Sequence, residues 1–356
     1  MRKPQFPSEQ VGCHPHCQER AGVHRIPPER CPSSWWNQHE AILVTADRLR
    51  ASNSRPLVTV LLPVRNAEAW IDDTISSLKT QSLTDFEVLV VDDKGEDRSI
   101  EILRRSGLRN LRIIQGRGQG LAQALALGVL ESRASIIARQ DADDLSFPER
   151  LAVQYEFLSI NPDYVACGSA AIEIDEFGRR IGRIEVPLSN AAIRLRMTFL
   201  NPFVHSSIMM RKDAVLAVGN YRSPSSSAFP EDFDLWARLS SCGKMMNFPD
   251  SLVAYRRTPD GLTSRKQREI GRGAGLVAVA NVERALGRPL TDREMTVITT
   301  FHWRDRALRP TDAALLLWLM LHVRRRYPLR AAGAWGSPVW LQPIKSVLPP
   351  RHRGQP

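Results

Sequence analysis

Residues 58–93 read VTVLLPVRNAEAWIDDTISSLKTQSLTDFEVLVVDD, and the order of textures in that stretch decides the fold. Val58–Val64 and Phe86–Val91 are short apolar runs without polar alternation, the pattern a strand needs when both of its faces are buried. Between them, Ala67–Gln81 places Trp70, Ile71, Ile75 and Leu78 at helical spacing. Strand, helix and strand in that order predict a βαβ unit with a parallel strand pair.

The alternation continues downstream. Ser99–Arg105 reads as a helix, Leu111–Gln115 as a strand, Leu121–Ser132 as an Ala/Leu-rich helix and Ala134–Ala138 as a strand. The fold class is therefore α/β, with a mostly parallel central sheet flanked by helices. Upstream, the first 55 residues hold Pro4, Pro7, Pro15, Pro27, Pro28 and Pro32 and little periodicity, so residues 1–55 are expected to be an irregular or disordered extension. Beyond Arg257 the texture turns helical, with candidates at Gly271–Leu286, Asp292–Phe301 and Thr311–Arg326. The expected division is an extension at 1–55, a catalytic α/β domain at 56–257 and a mainly helical, basic region at 258–356.

The formal charge of +11 suggests a nucleic-acid binder until it is divided along the chain. Residues 1–56 carry 8 Lys/Arg against 5 Asp/Glu, residues 57–257 carry 24 against 26, and residues 258–356 carry 17 against 7. The basicity belongs to the C-terminal region, where no aromatic residues interleave a basic face, so nucleic acid is not expected as a partner. Five cysteines in 356 residues exclude a disulfide scaffold. The absence of an apolar run of about 18 residues argues against a spanning helix, and a cytoplasmic location is expected.

In an open α/β sheet the ligand lies beyond the carboxyl ends of the strands, which directs attention to Pro63–Glu68, Asp92–Asp97, Gln115–Gly120 and Gln140–Asp144. Two of these segments are rich in acids: Asp92 and Asp93 end one strand, and Asp141, Asp143 and Asp144 follow another. Like charges crowded at one edge raise each other's pKa or recruit a cation, and an all-oxygen set suits Mg2+ or Mn2+. For Asp97 and Asp144 the alternative of helix capping stays equally open.

Four segments occur in order: the one opening this section, ARQDADDLSFPERLAVQ, NPFVHSSIMMRK and PEDFDLWARL. Together they make the sequence resemble the inverting family 2 glycosyltransferases of the GT-A fold, the bacterial surface-polysaccharide type, over about 200 of the 356 residues. The resemblance implies a nucleotide-diphospho-sugar transferase sheet with a helical C-terminal extension. It implies a donor pocket in which Pro63, Arg65, Asn66 and Glu68 form the first loop. Asp92 would hydrogen-bond the base with Asp93 beside it, and His205 would lie near the diphosphate. Asp141 and Asp143 would form the DxD, with Asp143 as direct ligand of Mn2+ or Mg2+ and Asp141 on the ribose or the metal's water shell. Glu231 and Asp232 would be the catalytic pair, with Asp232 as general base. The implied reaction is transfer from a nucleoside-diphosphate sugar, UDP-sugar favoured, to a saccharide acceptor, either free or lipid-linked. A noncatalytic sugar-nucleotide or glycan-binding module of the same fold remains the alternative. The loop Lys94–Asp97 departs from the small residues common in the family, as does Gln119–Leu125, which lacks the usual Arg and Asn.

Other features are weaker. Gly116, Gly118 and Gly120 give GxGxG and fail the dinucleotide fingerprint. Cys13, His14, His16, Cys17, His24 and Cys31 make a poor zinc template in a Pro-rich stretch. Arg150 and Gln154 are expected to fix the helix after the DxD or to contact phosphate indirectly, rather than to act in catalysis. Ala313–Val323 (AALLLWLMLHV) is too short to span a bilayer and precedes Arg324, Arg325, Arg326 and Arg330. Both a helix lying on an anionic membrane surface and a core helix are compatible with it, and the former would put the protein peripherally on the inner face of the plasma membrane.

Overall fold

The computed structural model describes residues 55–222, 229–258, 267–303 and 308–327. The N-terminal Pro-rich stretch with its Cys/His cluster, and Arg330 with the residues after it, lie outside the described residues. In chain order the parallel half is β1 (Val58–Val64), α1 (Ile71–Lys79), β2 (Phe86–Asp92), α2 (Ser99–Arg105), β3 (Leu111–Gln115), α3 (Leu121–Glu131) and β4 (Ile136–Arg139). Strands β3, β2, β1 and β4 are neighbours in that order and all run parallel.

The uniform apolarity of β1 has a simple origin. Val58, Val60, Leu62 and Val64 point to the face covered by α1 and α2, where Ile71, Ile75, Leu78 and Leu103 pack on them. Leu61 points to the other face and meets Leu125 and Val129 of α3. Gly128 lets α3 approach, because a Cβ there would come 2.1 Å from Leu61 Cδ1. Both faces are thus dry, as the run without alternation requires.

The second half is β5 (Leu145–Ser146), α4 (Arg150–Ile160), β6 (Tyr164–Ile174), β7 (Arg180–Ile184), α5 (Asn190–Met197), a 3-10 turn at His205–Ser207, β8 (Met209–Arg211), α6 (Lys212–Ala217), α7 (Glu231–Leu239) and β9 (Lys244–Arg256). It extends the same nine-stranded sheet but mixes directions: β8 is antiparallel to β4 and to β6, β9 is parallel to β6, and β5 and β7 are antiparallel to their partners. The parallel pairing expected from the sequence therefore describes the first four strands, and the later strands add the antiparallel pairs.

Three helices follow, α8 (Gln267–Leu286), α9 (Asp292–Trp303) and α10 (Pro310–Arg326). Their buried residues Val282, Ile298, Leu316, Leu319 and Val323 join the apolar cluster that holds Leu61 and Trp236, so they continue the core of the sheet. The segment Ala313–Val323 is two-sided: Leu316, Leu319 and Val323 are core, while Leu317, Trp318 and Leu321 are 40%, 43% and 44% exposed. Among the described residues no helix is long and apolar enough to cross a membrane.

Candidate active site

The acids brought together most tightly are those after β4. One carboxylate oxygen from each of Asp141, Asp143 and Asp144 lies within 4.8 Å of the others. Asp144 is buried; its Oδ1 accepts the Arg256 N–H at 2.7 Å, while Oδ2 has no hydrogen bond. Burial, then the charges of Asp141 and Asp143, push the Asp144 pKa well above the carboxylate range. Burial and Asp141 raise that of Asp143 to about 6. A buried orphan oxygen within a set of hard oxygen donors fits a divalent cation of the Mg2+ or Mn2+ type. Asp144 thus belongs to the acid cluster instead of capping a helix. Asp97 does the reverse: its carboxylate takes Ser99 N–H at 3.0 Å and Glu68 N–H at 2.8 Å, which fixes the start of α2.

Neutral and charged props hold this turn. Gln140 Nε2 donates to Asp144 O at 2.9 Å, and its Oε1 accepts Arg150 Nη1 at 2.7 Å. Arg150 is fully buried and also donates to Ser146 Oγ at 2.8 Å and Gln154 Oε1 at 3.2 Å. These acceptors are all neutral, and burial together with Arg139 lowers its pKa to about 9. Arg150 and Gln154 thus brace this turn and its helix. Arg256, from the end of β9, donates to Asp143 O at 2.8 Å, Glu176 O at 3.0 Å and Asp73 Oδ2 at 3.0 Å.

The first loop and the end of β2 form the neighbouring wall. Pro63 lies past Leu61, the last β1 residue paired with β4, so its missing N–H leaves no bond unmade on that side. Asn66 turns the chain with φ 54° and accepts Glu96 N–H at 2.8 Å. Glu68 is engaged by Arg98, whose Nε donates at 2.7 Å. Asp92 Oδ1 accepts only the long bond from Gly95 N–H at 3.2 Å. Asp93 is buried, and its two oxygens accept Gly118 N–H and Gly120 N–H, both at 2.8 Å, with Arg65 Nη1 at 3.9 Å. Two amides of the GxGxG loop thus bond Asp93, and the Gly116 N–H donates to Asp92 O at 2.7 Å. Gly116 is needed for the approach, since a Cβ there would lie 3.0 Å from Asp92 O. Of the two strand-end acids, Asp92 keeps the freer carboxylate.

Glu231 and Asp232 open α7, where helix N–H groups favour negative charge. Asp232 Oδ1 accepts Phe233 N–H and its Oδ2 accepts Asn201 Nδ2, each at 2.6 Å. His205 Nδ1 stands 3.9 Å from Glu231 Oε1 and 4.0 Å from Asp232 Oδ2, and Nε2 is 3.1 Å from the Tyr221 hydroxyl. Burial, then Asp232, raises the Glu231 pKa to about 8. Burial also raises Asp232, but Phe233 N–H and the Asn201 amide pull it back. Burial thus raises both acids, and the bonds from Phe233 N–H and Asn201 favour the charged form of Asp232. Burial, with help from Arg139, lowers His205 well below its ordinary value, so the imidazole is neutral.

Between the two acid groups stands Arg139, the last residue of β4, with a side chain 1% exposed and ion-paired to Asp141. Its charge also lowers the pKa values of Asp143, Glu231 and Asp232. Arg139, Asn201, Tyr221 and Arg256 were absent from the sequence-based site. A charged residue ending a buried strand before the DxD was a legible signal for Arg139, and Asn201 stands in the NPFVHSS segment. Tyr221 and Arg256 arrive through distant packing and carried no local signal.

The fold and the acids at its carboxyl edge define a GT-A glycosyltransferase. The model for glycosyl transferase family 2 matches residues 59–219. The amylovoran biosynthesis glycosyltransferase AmsE of Erwinia amylovora is 32% identical over 217 residues, which are 59% of this chain and 80% of that relative. The O-antigen biosynthesis glycosyltransferase WbnJ of Escherichia coli is 31% identical over 211 residues, 56% of this chain and 79% of its own. Among solved structures, S. aureus TarS 1-349 in complex with UDP-GlcNAc superposes with a TM-score of 0.54 at 15% identity, covering 76% of this chain and 89% of that one. The chain belongs to glycosyl transferase family 2.

Proposed function

We propose that this glycosyltransferase is metal-dependent and inverting, moving a sugar from a nucleoside diphosphate, UDP-sugar first, to a hydroxyl of a saccharide acceptor in exopolysaccharide, capsule or lipopolysaccharide assembly. The observation that carries the reading is the division of the acids into a cation-binding group, Asp141, Asp143 and Asp144, and a base pair, Glu231 and Asp232, both within the field of Arg139. The names of AmsE and WbnJ support a polysaccharide product, and the ligand of TarS supports a UDP-sugar donor.

Asp143 and Asp141 would hold the Mn2+ or Mg2+ ion, which supplies electrostatic stabilisation of the charge developing on the diphosphate. Asp92 and the Pro63–Glu68 loop, with Arg65 and Asn66, would seat the nucleoside. Asp232 takes the proton of the acceptor hydroxyl as that oxygen bonds the anomeric carbon from the face opposite the diphosphate and the bond to the leaving phosphate oxygen breaks. Glu231, protonated, leaves a single base in the site, which is all that a single displacement needs. His205, neutral and bonded to Tyr221, borders the base pair and would lie near the diphosphate.

The exposed Leu317, Trp318 and Leu321 on α10, beside Arg324 and Arg325, support peripheral contact with an anionic membrane on the cytoplasmic side, where a lipid-linked acceptor would be met. The test of function is a nucleotide-release screen of the full chain against a panel of nucleoside-diphosphate sugars with and without Mn2+ or Mg2+. Metal-dependent release with one donor is expected; folded protein that binds a donor but releases nothing with any acceptor would favour the binding-module reading.

A further inference from the structure

We propose that Arg139 is a positioning residue that couples the two halves of the site, an internal counter-cation that holds Asp141 in competition with the divalent ion. The inference rests on the function proposed above and adds a residue that the family motifs do not assign.

Burial and direction come first. Side chains alternate along a strand, and Ile137, two residues earlier in β4, belongs to the apolar cluster that contains Leu235 and Trp236 of α7. Arg139 therefore faces the helix that opens with Glu231 and Asp232, while its ion pair reaches back to Asp141. Its Nε is buried without a hydrogen bond, so the guanidinium has donor capacity left at the centre of the site.

Charge comes second. Asp141, Asp143, Asp144, Glu231 and Asp232 surround this position, and the neighbouring arginines answer them only on the side of the DxD. Arg150 is committed to neutral oxygens, and Arg256 to three backbone carbonyls and Asp73. Among the described residues Arg139 is the cation whose charge reaches both the DxD and the base pair. Arginine suits the post because the ion pair with Asp141 keeps its guanidinium charged despite burial.

Competition follows from that placement. A divalent ion and the guanidinium both draw on the Asp141 carboxylate, so neutralising Arg139 makes the acid cluster a better cation trap. The same change removes the charge that orients Asp141 and favours the ionised form of the base pair, so turnover falls. A purely structural arginine would instead weaken both, and the opposite signs are the signature of the coupling. Groups behind a metal ligand act on a scale of about 10–100-fold.

The experiment compares full-length wild type, Arg139→Gln and Arg139→Lys. Mn2+ alone is titrated by electron paramagnetic resonance, turnover is measured with the donor from the release screen, and folding is checked by circular dichroism. Arg139→Gln should bind Mn2+ about tenfold more tightly and turn over about 10²-fold more slowly. Arg139→Lys should return Mn2+ affinity to within about threefold of wild type and recover at least about tenfold of the lost turnover. Equal or weaker Mn2+ binding by folded Arg139→Gln, or a lysine variant no better than glutamine, overturns the proposal. If Arg139→Gln does not fold, the lysine variant decides, and a loss of Mn2+ affinity beyond about tenfold in it overturns the proposal. Wild type that binds no Mn2+ overturns it as well. A Mn2+ split as expected, with no nucleotide release from wild type, would count against the proposed donor reaction and leave only the competition for Asp141 standing.

Discussion

Replacing Asp232 by asparagine changes one atom in a crowded place. Oδ1 keeps its bond from Phe233 N–H at 2.6 Å, because an amide oxygen accepts equally well there. At the other position an NH2 group would face Asn201 Nδ2, 2.6 Å away, and Asn201 cannot simply turn over because its Oδ1 already accepts Phe203 N–H at 3.1 Å. One charge-assisted bond is lost, a penalty of roughly 1.5–3 kcal/mol. Against this, the variant no longer buries a carboxylate beside Glu231, a relief of the same order, since burial and Asp232 are the two leading causes of the raised Glu231 pKa. The two effects nearly offset, so Asp232→Asn should stay folded with a melting temperature within about 6 °C of wild type. Turnover has no such compensation. Loss of a general base lowers it by about 10²–10⁴-fold, or roughly 2.7–5.5 kcal/mol in the barrier, with donor affinity unchanged. Nucleotide release at saturating donor and acceptor, calorimetry with the donor and thermal melts give the three readouts. Turnover within about threefold of wild type would refute the assignment of Asp232, and a collapse confined to Glu231→Gln would move the base to that residue.

Asp143→Ala should abolish Mn2+-dependent binding of UDP in calorimetry while melting no lower than wild type without metal, since it removes a half-buried acid held at a pKa of about 6; unchanged metal dependence in the folded variant would remove Asp143 from the ligand set. Glu231 has a folded pKa of about 8 against an ordinary value of 4.5, so it binds a proton more tightly in the folded state. Its contribution is complete below about pH 4.5 and is lost as pH rises through about 8, at up to about 1.4 kcal/mol per pH unit. Denaturation of wild type between pH 6 and pH 9 should show that decline and Glu231→Gln should flatten it; parallel curves would contradict the protonated state. Leu317→Ser with Trp318→Ser and Leu321→Ser should abolish co-sedimentation with anionic liposomes at low salt and leave turnover on a soluble acceptor intact, whereas binding equal to wild type would make the outer face of α10 an ordinary surface.

What was legible follows distance along the chain. The strands Phe86–Asp92 and Leu111–Gln115 and the helix Ser99–Arg105 could be read almost to the residue, because a parallel strand and its helix announce themselves by local texture. Strand β6 (YVACGSAAIEI) did not, since small residues replace β-branched ones where its neighbours come close. At Gly168 an added Cβ would meet Asn247 Oδ1 at 2.4 Å and Phe203 at 2.8 Å, contacts invisible from positions so far apart. The acids of the site were readable because crowded carboxylates demand explanation. The groups that tune them were not: Tyr221 reaches His205 and Arg256 reaches Asp143 only once the halves of the sheet have met. Glu68 and Asp93 show the converse. Their type and position pointed to the donor, while in the structure Arg98 and the glycine amides occupy much of their bonding capacity.

The pairing of β5 with β9 imposes an order on manufacture. Strands β1 to β4 can find one another as soon as residue 139 has been made, because each neighbour lies within the preceding 80 residues. The acids that follow them cannot be finished then. Leu145 waits for Ala254, and Asp144 for the N–H of Arg256, 112 residues further on. A nascent chain on the ribosome would therefore present a completed wall of Pro63–Glu68 and Asp92 beside an unsupported, strongly acidic turn until β9 emerges, and the three carboxylates would acquire their spacing only in the last act of closing the sheet.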